Sequence, residues 1–182
     1  DAISLGEMGI ANTSAAALLA AKLTGLPVAQ FAGRGTGLDD AGLAAKTAVL
    51  EAAAARTPAR LDGVTALAEV GGYEIAMMAG AMLGAAGDGR VVLVDGFIAS
   101  AAAAVACDIR PDARAAMVFA HLSAEAGHRA LCDALGAEPL LHLDMRLGEG
   151  TGALLAWPLV RAAAAMLRDM ASFSSAGVSE AE

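Results

Sequence analysis

Apolar residues along the chain fall into short β-branched runs and longer Ala-rich stretches, with polar, glycine-containing loops between them. Residues 91–94 (VVLV) form the clearest predicted strand, and residues 117–120 and 140–143 have a similar short apolar character. Runs of this length without polar alternation are typical of parallel strands that are covered on both faces. The pattern therefore predicts a sheet that is buried between layers.

The longer apolar stretches predict helices between these strands. One helix is expected to begin with Asn12 as its N-cap and to end before Gly25, and a second to follow Asp39 and Asp40 and extend to about Arg56. Further helices are predicted after Asp62, over 73–86, 97–106 and 125–135, and towards Met170 with Pro158 kinking the helix or delaying its regular part. This alternation predicts a layered α/β fold, a Rossmann-like parallel sheet with helical crossovers.

Composition narrows the possible partners. Although 57% of the residues are apolar, no uncharged stretch reaches the roughly 20 residues that span a membrane. The net charge of -8 disfavours a nucleic-acid partner, which calls for clustered Lys and Arg. Cys107 and Cys132 form no C-x-x-C pair, and no signal peptide is evident, so we expect a cytoplasmic protein.

The candidate chemistry lies in polar loops that follow predicted strands or precede helices: 6–13, 33–40, 95–96 and 148–152. Glycine lets backbone amides approach a phosphate closely, and a following helix adds its partial positive charge. Such loops predict a phosphorylated small-molecule ligand for an acidic protein. Glu149 stands between two glycines, where neither helix nor strand requires a carboxylate, and is a candidate general base.

Five segments in order carry a family resemblance: 6–13 (GEMGIANT), 33–40 (GRGTGLDD), 68–72 (AEVGG), 95–98 (DGFI) and 146–152 (RLGEGTG). They resemble the nicotinate-nucleotide–dimethylbenzimidazole phosphoribosyltransferases of cobalamin biosynthesis, and the resemblance covers nearly the whole chain. Ala11 departs from the glycine usual in that family. The resemblance implies roughly the carboxyl-terminal half of such an enzyme, with residues 1–173 as a partial large domain and 174–182 as a flexible tail.

The resemblance also implies an activity. The family transfers phosphoribosyl from nicotinate mononucleotide to 5,6-dimethylbenzimidazole, giving nicotinate and α-ribazole 5′-phosphate with inversion at the anomeric carbon. Glu149 matches the general base, and Glu7 matches a second active-site glutamate. A homodimer without a required cofactor or metal is expected. Substrate-binding positions are predicted at Gly9, Asn12, Gly33, Gly35, Lys46, Asp95 and Ser123.

The same residues have structural interpretations. Glu7 and Asp39 can be first-turn acids that favour a helix dipole, and Asp95 can cap the next helix. Arg34 and Arg146 can pair with these acids, and Lys46 can extend to solvent.

A metal site is a further possibility at His121, Glu125 and His128. Their spacing crosses a strand end and a helix start, which disfavours it. His142 is interpreted as a core or edge strand residue, and the methionines as core filling.

Three functional hypotheses follow. The first is a transferase of the type described. The second is a module that binds the nucleotide without transferring it, because half of the enzyme is absent. The third is an unstable truncated product whose exposed apolar surface requires that missing half.

Overall fold

The computed structural model describes residues 1–35, 37–172 and 174–177. Strands β1 (Ala2–Leu5), β2 (Val91–Val94) and β3 (Met117–Phe119) form a parallel sheet in that order, and β4 (His121–Leu122) pairs in parallel with β5 (Leu141–His142). All the strand pairs in the described part of the chain are parallel, which confirms the predicted layered α/β fold.

Seven α-helices and two 3-10 helices connect or flank the strands within the described residues. Short 3-10 helices lie at Val28–Gln30 and Pro111–Ala116. The α-helices are α1 (Asn12–Thr24), α2 (Asp40–Ala54), α3 (Gly63–Val70), α4 (Tyr73–Gly87), α5 (Phe97–Ile109), α6 (Ala126–Ala134) and α7 (Thr151–Asp169).

Helix α5 is the centre of the main core. It packs against α1, α3, α4 and α6, and every residue of 97–106 is buried. Its alanines explain this position, because small side chains let neighbouring helices approach from all sides. On the other face of the sheet, α7 packs Ala153 and Ala156 against Leu93 and Ala120. The strands are therefore covered on both faces, as the apolar runs predict.

Helix ends follow local chemistry in most cases. The Asp39 carboxylate accepts the Gly42 N–H, Asp62 accepts the Thr65 N–H, and Gly25 ends α1 in the left-handed conformation with φ 77°. The prediction that Asn12 is an N-cap was wrong. Ala11 holds that position with φ 70°, and Asn12 is the first helical residue.

Other differences from the sequence predictions are local. Strand β1 was not predicted, and β5 is shorter than the predicted strand at 140–143. Pro158 lies within α7 without ending it. The division at residue 173 stays a prediction, because residues 173 and 178–182 lie outside the described part. None of the described helices combines the length and apolarity that crossing a membrane requires.

Candidate active site

A cavity of about 540 Å³ opens at the carboxyl ends of β1 and β2. Parallel sheets commonly bind ligands at this edge, where strands give way to helix N-termini. The loops at 6–13, 33–40, 95–98 and 146–152 all contribute to the wall, whereas the fifth segment, 68–72, lies elsewhere between α3 and α4. Among the predicted site residues, those on the wall are Glu7, Gly9, Asn12, Gly35, Lys46 and Ser123.

Glu7 and Asn12 form one part of this wall. The Asn12 side-chain amide donates a hydrogen bond to Glu7 Oε2, and this contact links the loop before α1 to the first residue of that helix. A Cβ at Gly9 would lie 2.6 Å from Asn12 Nδ2 and 3.2 Å from Glu7 Oε2. The Asn12 and Glu7 side chains therefore pack directly against Gly9, and a larger residue there would displace them.

Lys46 joins the first and second loops of the wall, 6–13 and 33–40. Its ammonium donates to Thr13 Oγ1 at 3.1 Å and to the Gly33 carbonyl at 2.9 Å, so it points inwards instead of extending to solvent. Burial lowers the pKa of Lys46 from its usual 10.5, while the negative charge of Glu125 opposes this shift. Gly33 does not line the cavity, but its carbonyl orients Lys46.

Ser123 is held by a buried histidine. The Ser123 N–H donates to Nδ1 of His128 at 2.8 Å, and His128 Nε2 lies 2.9 Å from Ser100 Oγ. Burial lowers the pKa of His128 from 6.5 to about 3, with smaller contributions from His121 and Arg129. Because neutral imidazole has one N–H and Nδ1 accepts, the proton belongs on Nε2 and is donated to Ser100.

The two histidines that were considered as metal ligands, and disfavoured on their spacing, have other contacts in the structure. Ring centroids of His121 and His128 lie 6.3 Å apart, and His128 uses both nitrogens within the protein. No group of three metal-ligating side chains occurs among residues 1–35, 37–172 and 174–177.

Helix ends and side chains of both charges give the wall its electrostatic character, and the acids among them are Glu7 and Glu125. The first residues of α1 and of α5 face the cavity, so the positive ends of two helix dipoles point towards it. Lys46, Arg34 and Arg146 also line it. Arg34 is paired with Asp40 and donates to the Leu38 carbonyl at 2.8 Å, which supports the structural interpretation of this residue. This part of the cavity suits a phosphate.

Glu149 lies on the loop at the cavity edge, with an exposed side chain outside the wall itself. Its φ of 57° is left-handed, as are those of Gly148 at 82° and Gly150 at 81°. A Cβ at Gly148 would lie 2.6 Å from the Glu7 carbonyl oxygen. The loops that carry Glu7 and Glu149 are therefore in direct contact, and Gly148 is required for that contact.

Asp95 lies beneath this loop. Its side chain is 1% exposed and does not line the cavity. Its carboxylate accepts the Gly150 N–H at 3.1 Å and the Ala153 N–H at 3.0 Å, both at the start of α7. It thus stabilises α7, and α5 begins after Gly96 without a side-chain cap.

Sequence reasoning missed several wall residues. Met8, Ile10 and Leu147 line the cavity with exposed fractions of 54%, 96% and 58%. Each lies inside a segment already identified for its polar residues, which was the available signal. They give the wall an apolar region suited to an aromatic ring.

Comparisons with known proteins agree with this geometry. The family described as Phosphoribosyltransferase matches residues 1–178, and the chain belongs to that family. Its relatives carry a more specific name. A nicotinate-nucleotide–dimethylbenzimidazole phosphoribosyltransferase of Ralstonia nicotianae is 66% identical over 98% of this chain, and one of Cupriavidus necator is 62% identical over 98%. The resemblance drawn from the loop segments is confirmed.

Solved structures support the same assignment. CobT from Thermus thermophilus matches 97% of this chain with a TM-score of 0.89 and 46% identity. The match covers 53% of that chain, and 50% and 52% of the Ralstonia and Cupriavidus relatives. The chain therefore spans about half the length of the relatives it matches.

Proposed function

We propose that the chain contributes the catalytic loops of a phosphoribosyltransferase that joins nicotinate mononucleotide and 5,6-dimethylbenzimidazole. The observation that carries the proposal is the contact between the Glu7 and Glu149 loops at a cavity whose other walls suit a phosphate. The names of the relatives supply the substrate pair.

The phosphate is proposed to bind near Lys46, Gly35 and the start of α1. Lys46 is already oriented by Thr13 and Gly33, so it loses little conformational freedom on binding. Ser123 and Glu125 also line the cavity, and the Glu125 carboxylate lies against Gly33. Gly9 and Asn12 shape the neighbouring turn, and Gly33 acts through its carbonyl on Lys46.

Glu149 is proposed as the general base and Glu7 as its neighbour at the ribose. One benzimidazole nitrogen attacks the anomeric carbon while Glu149 takes the proton from the other nitrogen. The bond to the pyridinium nitrogen breaks, and its electron pair leaves with nicotinate. The Glu7 carboxylate stabilises positive charge that develops on the ribose. Because the leaving nitrogen starts as a cation, we propose that no metal or cofactor is required.

Turnover tests the proposal in two protein forms. One is the 182-residue chain, and the other, called the completed protein, is this chain fused to the part of the Ralstonia relative outside the match. Each is incubated with both substrates, and nicotinate and α-ribazole 5′-phosphate are separated by chromatography. We expect product from the completed protein and a loss of at least ~100-fold in Glu149→Gln. Glu138→Gln, a change at an exposed residue outside the cavity wall, is the control. Full turnover by Glu149→Gln would contradict the proposal.

A second candidate is nucleotide binding without transfer by the chain alone. All the residues proposed to bind the phosphate belong to this chain, which favours nucleotide binding by the chain alone. The Glu149 side chain is exposed at the cavity edge, which favours the absence of transfer. Binding of nicotinate mononucleotide by the 182-residue chain, measured by calorimetry and weakened by Lys46→Met, without product, would support this function. Product from the chain alone would exclude it.

We further propose that the assembled protein is a cytoplasmic homodimer. Helices α7 and α4 carry exposed apolar side chains, including Leu154, Leu167, Tyr73 and Met77. We propose that a second copy of the assembled protein buries part of this apolar surface. Sedimentation of the completed protein tests the dimer, and a monomer at micromolar concentration would contradict it.

A further inference from the structure

The start of α7 is anchored by a buried carboxylate from the adjacent strand end. Asp95 Oδ2 accepts the Gly150 N–H at 3.1 Å, and Asp95 Oδ1 accepts the Ala153 N–H at 3.0 Å. The Gly150 amide directly follows Glu149, and the Ala153 amide lies in the first turn of α7. A buried carboxylate at a helix N-terminus is stabilised by the helix dipole as well as by these donors. The contact joins residues that are 55 and 58 positions apart.

A second contact comes from His121 on β4. Its ring packs against Gly152 so closely that a Cβ on Gly152 would overlap His121 Cδ2 and lie 2.7 Å from Nε2. His121 Nε2 also lies 3.5 Å from Asp95 Oδ1, and both side chains are almost completely buried. His121 lines the cavity, so this contact connects the cavity wall to the Glu149 loop.

The loop between these anchors is conformationally demanding. Gly148, Glu149 and Gly150 all have positive φ, and the left-handed conformation is unfavourable for Glu149 because its Cβ approaches the backbone. A Cβ on Gly6 would overlap the backbone nitrogen of Gly150, so the end of β1 also packs against this loop. Such a conformation persists only when surrounding contacts hold it.

We infer that Asp95 and His121 are positioning residues that hold the Glu149 loop at the cavity edge, a role that rests on the proposed function of Glu149. Asp95 acts through the Gly150 and Ala153 amides, and His121 acts through its packing against Gly152. Neither side chain contacts the reacting atoms in this role. It differs from the predicted substrate contact of Asp95, and it explains why Gly152 must be glycine.

The first test uses Asp95→Asn in the completed protein, which puts an amide group where one carboxylate oxygen accepts a backbone N–H. We expect kcat to fall at least ~10-fold, because small displacements of a reacting group have large effects. The KM for nicotinate mononucleotide should change less than about twofold, since neither Asp95 nor Glu149 lines the cavity wall at which the phosphate is proposed to bind. Asp133→Asn on the exposed face of α6 is the control.

The Glu149→Gln background separates positioning from general damage. If Asp95 acts only by placing Glu149, then Asp95→Asn should not lower the residual turnover of Glu149→Gln further. An equal loss in both backgrounds would overturn the inference while leaving Glu149 as the base. Full turnover by Glu149→Gln alone would instead contradict the proposed function.

The contact between His121 and Gly152 gives an independent test. Gly152→Ala should lower kcat at least ~10-fold, and adding His121→Ala should recover part of the loss by making room for the new methyl group. Additive losses would overturn the packing role of His121. Thermal melts of all the variants accompany these assays.

Amide hydrogen exchange measures the anchors without activity. Asp95→Asn should accelerate exchange at Gly150 or Ala153 at least ~10-fold in the completed protein, while the amides of α5 remain protected. This measurement decides the question where the residual turnover of Glu149→Gln is too small to measure. Unchanged exchange at both amides would overturn the role of Asp95.

Discussion

Lys22 provides a stability prediction that can be worked from the structure. This lysine lies on α1 with only 2% of its surface exposed, and its ammonium donates to three carbonyls beyond or at the end of α2. The partners are the carbonyls of Ala54 at 2.5 Å, Thr57 at 3.1 Å and Pro58 at 2.7 Å. It therefore caps the C-terminal end of α2 from α1 and fixes the position of these two helices relative to each other.

The perturbation is Lys22→Met, which keeps an apolar side chain of similar length and removes the charged donor. Three hydrogen bonds at a net value of about 1 kcal/mol each predict a loss of about 3 kcal/mol in the free energy of unfolding. The side-chain stem is already buried, so its contribution changes little. Urea unfolding, followed by circular dichroism, measures the difference.

The control is Arg60→Met, which removes an exposed cation from the same region. We expect it to change the free energy of unfolding by less than about 0.5 kcal/mol. A similarly small effect of Lys22→Met, with an unchanged denaturant dependence, would refute the capping role of Lys22.

Three further predictions concern single residues. Ala11→Gly should stabilise the chain by up to about 1 kcal/mol in urea unfolding, because φ 70° is costly for alanine, and Ala29→Gly serves as the exposed comparison. Burial lowers the pKa of Lys46, so its ammonium should lose its proton at a lower pH than an ordinary lysine does. Affinity for nicotinate mononucleotide, measured by calorimetry, should therefore already fall with rising pH before pH 10.5 is reached, and Lys46→Arg should remove that loss. The folded state resists protonating His128 until about pH 3, whereas the unfolded chain binds that proton near 6.5. Stability should therefore fall as pH drops from 6.5 towards 3, and His128→Asn should reduce this dependence in urea unfolding across that range.

Local signals in the sequence predicted much of the fold. The β-branched run at 91–94 and the Asp39, Asp62 and Gly25 helix ends have direct physical causes within a few residues. Strand β1 was missed because its four residues include a serine and precede a loop, so no run stands out. The strand is stabilised mainly by its parallel pairing with β2, which is 89 positions away at Ala2 and Val91.

The candidate site was predictable only where the signal lies within a few residues of the sequence. The loop segments could be identified separately, and Lys46 could be placed near the Gly33 loop because α2 follows that loop directly. The role of Asp95 could not be read locally, because its partners begin 55 residues later. Asn12 was misassigned as a cap because its side chain is used by Glu7. Non-local contacts therefore decide the details of the site.

The most direct test of the account is turnover by the completed protein with and without the Glu149 carboxylate. Nicotinate and α-ribazole 5′-phosphate are quantified in one reaction for the unchanged protein, Glu149→Gln and the Glu138→Gln control. The account predicts equal amounts of both products from the unchanged protein and the control, and a loss of at least ~100-fold in Glu149→Gln. Undiminished product from Glu149→Gln would contradict the assignment of the base.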